Sequence, residues 1–182
     1  LGKNPPLSIA KRPAVCYTCG KIKKRGTPYG ELHLWFHRHR KQAGAVMELR
    51  PYRPSDLPAV LGLFYDTVHS VNCGDYTPEQ LDAWADGRPD PERWNQSLLS
   101  HHTLVAVEDG LLVGFGDMDG TGYLDRLYVH RDYLRRGVAT ALCDALERRL
   151  SHGVFTTHAS ITARPFFEGR GYTVLRPQTV YR

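Results

Sequence analysis

Arg135, Arg136 and Gly137 are the residues whose types and spacing bear most directly on chemistry. They lie between a run rich in β-formers, Tyr123 to Val129, and a run from Val138 to Leu150. The second run places Val138, Ala141, Leu142, Ala145 and Leu146 on one helical face. A helix N-terminus carries unpaired N–H groups and the positive end of the helix dipole, so it favours a phosphate. Gly137 has no Cβ to hold a ligand off the backbone, and two arginines add charge-assisted donors. Strand, basic glycine turn and amphipathic helix together read as a pyrophosphate cradle. The plain alternative is an ordinary βα unit with a solvated arginine pair.

Acid–base groups are sought on the strand leading into this turn and on the next one. Tyr123 and Asp125 lie on the first and His158 on the second. Alternate strand residues share a face, which predicts that Tyr123, Asp125 and Leu127 point the same way. Histidine suits proton transfer near neutral pH, although a strand histidine such as His158 can simply be a satisfied structural residue. Asp125 also reads as a partner for Arg126 or Arg135. Asp66, Asp75, Asp117 and Asp119 could supply a negative field that draws a cationic amine, or be ordinary loop carboxylates.

The elements that must position these groups follow from hydrophobic periodicity. Met47 to Tyr52 reads as a first strand, and Pro54-Ser55-Asp56 opens a helix running to about Val68. Thr77-Pro78-Glu79-Gln80 starts a second helix, with Thr77 as N-cap and Pro78 in the first turn. Pro91 to His101 reads as a third helix, and Trp84 and Trp94 read as core aromatics. Thr103–Val107 and Leu111–Gly116 form a hairpin about Glu108-Asp109-Gly110. Asp117 to Gly122 makes the next turn. Phe155 to Ser160 is a strand, Ala163 to Gly169 a short helix, and Tyr172 to Val180 a last strand.

Charge divides the chain in two. Residues 1–46 hold ten Lys and Arg against one acidic residue, Glu31; residues 47–182 hold fourteen against eighteen. The leader is therefore +9 and the rest −4, which together give the chain's +5. Cys16-x2-Cys19 followed by His33-x3-His37 has roughly the spacing of a small zinc site in basic surroundings, which would suggest a nucleic-acid-binding module. The favoured reading is that residues 1–46 are disordered or non-native upstream sequence, with Met47 opening a domain over 47–182. No metal and no nucleic-acid partner are then expected. Cys143 reads as a semi-buried structural thiol. No apolar run is long enough to span a membrane, so a soluble, cytoplasmic protein is expected; a homodimer is left open.

Leu127-x-Val129, then Arg136-Gly137-Val138-Ala139 and Ala141-Leu142, resemble the coenzyme A motif of the GNAT superfamily of acyl-CoA-dependent N-acyltransferases. That motif is written Gln/Arg-x-x-Gly-x-Gly/Ala after a Leu-x-Val strand end, and Leu134 stands where Gln or Arg is usual. Ala163-x-x-Phe166-Phe167-x-x-x-Gly171-Tyr172 resembles a second family signature. The resemblance covers about Met47 to Val180. It implies an α/β GNAT fold, with a mixed, mostly antiparallel central sheet flanked by helices and the last strand apparently missing from a truncated C-terminus.

The resemblance also implies a function: acetyl transfer from acetyl-CoA, as co-substrate, to a small-molecule amine or an exposed amino group. Direct attack in a ternary complex is the implied mechanism. Backbone groups of Leu127, Tyr128 and Val129 would pair with the pantetheine arm. Arg135, Arg136, Gly137, Val138, Ala139 and Thr140 would hold the pyrophosphate, and the Val129 N–H would face the oxyanion. Phe167 occupies the position of the tyrosine that many relatives are proposed to use as general acid, and Ser160 stands where Asn is common. That leaves Tyr123, Asp125 and His158 as the catalytic candidates, and makes a domain that binds acyl-CoA without turnover a competing reading.

Overall fold

A computed structural model describes residues 15–25, 46–150, 153–175 and 178–181 of the 182-residue chain, the first and last of these segments as backbone. Strands are β1 Val15–Arg25, β2 Glu48–Pro51, β3 His102–Glu108, β4 Leu111–Met118, β5 Tyr123–Val129, β6 Val154–Ser160, β7 Thr173–Val174 and β8 Gln178–Tyr181. Helices are α1 Leu57–Val71, α2 Pro78–Trp84, α3 Pro91–Ser100, α4 Val138–Glu147 and α5 Arg164–Gly169. Five strands stand side by side in chain order, β2 to β6; β2 through β5 pair antiparallel, and β5–β6 is parallel. Beyond β6 lies β1, which pairs antiparallel with β6, β7 and β8. The expected mixed sheet with flanking helices is what forms.

Local chemistry explains the element ends. Arg50 at the end of β2 donates two bonds to Asp56, at 2.7 and 2.8 Å, and so ties the strand to the start of α1. That hydrogen-bonded guanidinium holds the Asp56 carboxyl below the usual carboxylate range. Thr77 accepts from the Gln80 N–H while the Gln80 side chain accepts from the Thr77 N–H, a reciprocal cap on α2. Asp109 and Gly110 both take positive φ, 51° and 78°, as the two-residue hairpin between β3 and β4 requires.

The sheet buries both faces. On one face α4 and α5 cover Leu104, Ala106, Val129, Phe155 and Ala159 through Val138, Leu142, Leu146 and Phe167. On the other, α1 and α3 cover Val105, Leu112 and Phe115 through Val60, Leu63 and Leu98. Gly114 and Gly116 of β4 let α4 approach closely: a Cβ on Gly114 would stand 2.7 Å from Val138 Cγ1.

Three expectations need correction. Asp117 is not in a turn: β4 continues through it to Met118, and it is fully buried. The last strand is broken into β7 and β8. Within the leader, where the sequence leads one to expect disorder, Val15–Arg25 is a strand that pairs antiparallel with β6. The rest of residues 1–46, including His33 and His37 of the candidate zinc set, lies outside the described residues, as do the side chains of Cys16 and Cys19.

Candidate active site

The turn after β5 is built as a donor-rich cradle. A short 3-10 turn, Arg131–Tyr133, follows the strand, and Arg135 then takes φ 59°. Gly137 caps α4 at φ 86°, ψ 0°, a left-handed conformation that costs glycine little. The first intrahelical bond runs from the Ala141 N–H to the Gly137 carbonyl at 2.9 Å, so the N–H groups of Val138, Ala139 and Thr140 have no acceptor inside the helix. A Cβ on Gly137 would meet nothing within 4 Å, so the space before these donors is open. Arg135 and Arg136 are exposed at its rim, and the Arg136 guanidinium lies 4.8 Å over the Tyr133 ring. Val138 is buried against β4, so it offers the turn its backbone N–H alone.

From this turn a gap runs back along β5. Strands β5 and β6 pair only at Tyr123 with Thr156 and Leu124 with Thr157, where Thr157 Oγ1 donates to the Leu124 carbonyl at 2.7 Å. The register on the other side decides which backbone groups face the gap. The His130 N–H donates to the Val113 carbonyl at 2.8 Å. With alternation along an antiparallel pair, Tyr128 and Arg126 therefore exchange bonds with Phe115 and Asp117. Leu127 and Val129 turn their N–H and C=O groups away from β4, toward the gap. The Val129 carbonyl accepts from Thr67 Oγ1 of α1 at 3.2 Å, which leaves the Val129 N–H and both Leu127 groups facing it. Tyr128 is a correction: its backbone belongs to β4, and its ring packs against Phe115 at 5.4 Å and Phe64 at 5.0 Å.

The catalytic candidates are grouped by a bulge. Pairing passes from Asp117–Arg126 to Met118–Leu124, so Asp125 is an extra residue on β5. The expectation that Tyr123, Asp125 and Leu127 share a face fails for this reason. Leu127 packs with the α4 core, whereas Asp125 receives the Arg126 Nε and Nη2 at 3.2 and 3.0 Å. The Tyr123 hydroxyl lies 3.3 Å from His158 Nδ1. Burial, reinforced by the charges of Asp125, Asp117 and Asp119, pushes the Tyr123 hydroxyl up to about 12.

Beneath Asp125 lies a polar cluster that the sequence did not reveal. Asp117 Oδ2 is 2.6 Å from His101 Nδ1, and its Oδ1 is 3.2 Å from Arg126 Nε. Arg126 also donates to Ser97 Oγ and lies 4.8 Å over the Trp94 ring. Ligand-type atoms of His101, Asp117 and Asp125 come within 4.8 Å of one another, and the Arg126 guanidinium supplies the positive charge among them. The available signal was the lone Asp in the apolar run Leu111–Met118.

Other singled-out residues are structural. Phe167 is 2% exposed between Phe166 and Tyr172, with ring separations of 5.2 and 5.1 Å. Ser160 Oγ accepts from the Ala163 N–H at 3.0 Å and shapes the turn into α5. Asp119 holds the β4–β5 turn by accepting from Thr121 and from the Tyr123 N–H, and Asp75 accepts from Thr162. Asp66 lines a cleft of about 350 Å³ between α1 and the turn after β5, shared with His69, Ser70, His130 and Arg131.

Comparison with known proteins identifies the family. Residues 72–182 match the family model described as an acetyltransferase (GNAT) domain. The Escherichia coli (strain K12) protein named "Uncharacterized N-acetyltransferase YafP" is 36% identical over 134 residues, which are 74% of this chain and 86% of that protein. A GCN5-related N-acetyltransferase structure from Rhodopseudomonas palustris is 37% identical with a TM-score of 0.70, over 73% of this chain and 85% of that one. The PaiA N-acetyltransferase of Thermoplasma acidophilum, solved with coenzyme A, shares the fold at TM-score 0.53 and 19% identity, over 58% of this chain and 72% of that one. The chain belongs to the GNAT family of acetyltransferases.

Proposed function

We propose that this acyltransferase carries an acetyl group from acetyl-CoA to a small-molecule amine or an exposed amino group by direct attack in a ternary complex. The observation that carries the reading is the continuity of two features. The open donor turn at Gly137 leads directly into a gap lined by the Leu127 and Val129 backbone. Acetyl-CoA supplies the thioester. The N–H groups of Val138, Ala139 and Thr140, with Arg135 and Arg136 at the rim, suit its pyrophosphate, and the gap-facing backbone groups suit its amide-bearing arm. The gap-facing N–H of Val129 or Leu127 suits the negative charge that develops on the carbonyl oxygen.

Proton balance assigns the remaining roles. The attacking nitrogen must lose a proton as its bond to the acyl carbon forms, and the sulfur must gain one as the carbon–sulfur bond breaks. Asp125 at the bulge is the group to take the first proton, directly or through a water. Tyr123 is the group to give the second: raised to about 12, its hydroxyl is fully protonated at neutral pH. His158, 3.3 Å away, is placed to return a proton to it. This arrangement does without a hydroxyl at Phe167. Because a thioester is activated already, holding the amine against it contributes a large share of the rate.

Among the described residues no helix is long and apolar enough to cross a membrane, and a cytoplasmic site with its acetyl-CoA supply fits the reading. The test is thiol release from acetyl-CoA over a panel of amines, by parent and Tyr123→Phe. Steady release by the parent that the variant slows supports both function and role. Tight acetyl-CoA binding without release from any amine would leave an acyl-CoA-binding domain instead.

A further inference from the structure

Asp117 is the only charged residue among the buried polar groups of the described chain, and it sits directly across from Arg126, beside the bulge. A carboxylate there is costly unless its charge is used. Its two oxygens hold different elements. Oδ2 accepts from His101 at the α3–β3 junction. Oδ1 has the Arg126 guanidinium at 3.2 Å but no partner in hydrogen-bond geometry, so it acts there as a charge. Arg126 is otherwise fixed by Asp125, Ser97 and the Trp94 ring. Its neighbour in sequence, Asp125, is the extra residue of the bulge. Among the carboxylates of this cluster Asp125 is the one that reaches solvent, its side chain 36% exposed against 0% for Asp117.

We propose that Asp117 is a positioning residue for acyl transfer: acting through Arg126, its buried carboxylate holds the bulge that sets Asp125 and Tyr123 at the mouth of the β5–β6 gap. The proposal rests on the acetyl-transfer reading above. With Asp117 ionised, Arg126 is shared between two carboxylates, and Asp125 keeps net negative charge for an amine proton. With Asp117 neutral, Arg126 has Asp125 as its one carboxylate partner and neutralises it. The charged and titratable groups facing Asp117 are His101 from the α3–β3 junction and Arg126, Asp125 and Tyr123 from β5; α3 adds neutral Ser97 and Trp94. Those facing Tyr123 are Asp125, Asp117, Asp119, Arg126 and, from β6, His158. Burial pushes the Asp117 carboxyl up to about 6, despite the opposing pull of Arg126 and His101. The arrangement therefore lapses as pH falls through that value.

The test uses the full chain and Asp117→Asn. In the parent, backbone amide NMR signals of Asp125, Arg126 and Leu127 should shift with a midpoint near pH 6, and in the variant they should not. Acetyl-CoA binding by calorimetry should stay within about threefold. Thiol release at saturating amine should fall by about ten- to a hundredfold, as small displacements of reacting groups do, and lose its acid limb near pH 6. Amides that stay still between pH 5 and 7 in the parent would overturn the proposal. So would a variant with parental kcat and acid limb, or one whose acetyl-CoA affinity and kcat fall together as from general damage. If the parent releases no thiol with any amine, the acetyl-transfer reading has failed instead, and the NMR titration still decides whether Asp117 governs the bulge.

Discussion

Replacing Gly114 by alanine probes how the sheet sets the cradle. Its backbone is not in the left-handed region, so alanine is conformationally acceptable, and in a strand alanine recovers about 0.5–1 kcal/mol of chain entropy. Against this, the new Cβ would stand 2.7 Å from Val138 Cγ1, 3.2 Å from the Tyr128 carbonyl and 3.3 Å from Leu142 Cδ1. Carbon atoms pack at about 3.5–4.0 Å, so Val138 must retreat by about 1 Å. Valine in a helix has essentially one rotamer, hence the first turn of α4 moves with it, carrying the Val138, Ala139 and Thr140 N–H groups. Overpacking of this kind costs about 1–3 kcal/mol. The net loss is about 0–2.5 kcal/mol, or up to roughly 10 °C in Tm for a chain of this size. Acetyl-CoA affinity should fall about tenfold, since charge-assisted bonds contribute about 1.5–3 kcal/mol each. Urea unfolding and calorimetry on Gly114→Ala, Val138→Ala and the double variant check this. The double variant should be more stable than the sum of the singles by about 1 kcal/mol or more. Additive losses, or undiminished acetyl-CoA binding in Gly114→Ala, would refute the reasoning.

Two further predictions follow from the buried groups. The Asp117 carboxyl titrates at about 6 in the fold against 3.8 ordinarily. Its contribution to stability is thus fully present below about pH 4 and is lost as pH rises through 6, an amount of about 3 kcal/mol. In urea unfolding at pH 4.5 and 7.5, the parent should lose stability relative to Asp117→Asn at the higher pH, and parallel curves would contradict this. Tyr123→Phe should lower kcat by about a hundredfold or more, as loss of a general acid does, with acetyl-CoA affinity unchanged. Because the Tyr123 hydroxyl is held up at about 12, the parent should show no alkaline limb from this group between pH 7 and 10, and a tyrosinate limb there would count against its role as acid.

Much of the fold was legible because hydrophobic period and turn chemistry are local properties. The run Tyr123–Val129 is the strand observed, Thr77 and Pro78 cap α2, and Asp109-Gly110 makes the hairpin. The glycine turn was readable because a left-handed cap and its free N–H groups are encoded within a few residues. What escaped depends on register. One extra residue on β5 separates Asp125 from the Leu127 face, and pairing across to β4 takes the Tyr128 backbone out of the gap. Neither follows from alternation along a single strand. Turn propensity alone predicts a turn at Asp117, yet His101 and Arg126, brought in from other parts of the chain, make its burial in β4 tolerable. The strand at Val15–Arg25 is not legible in the sequence because basic residues obscure any period, and its pairing with β6 spans well over a hundred residues.

Acetyl-CoA binding by titration calorimetry, on the full chain and on Gly137→Glu, tests the central claim most directly. Nothing lies within 4 Å of a Cβ at Gly137, so glutamate projects bulk and negative charge into the open space before the α4 donors. A φ of 86° adds about 1–2 kcal/mol of backbone strain. Gly137→Ala carries the same strain without the charge and is the control for it. The account predicts stoichiometric binding by the parent, weaker binding by the alanine variant, and none by the glutamate variant, with all three folded. A folded parent that does not bind, or a glutamate variant that binds as the parent does, would contradict it.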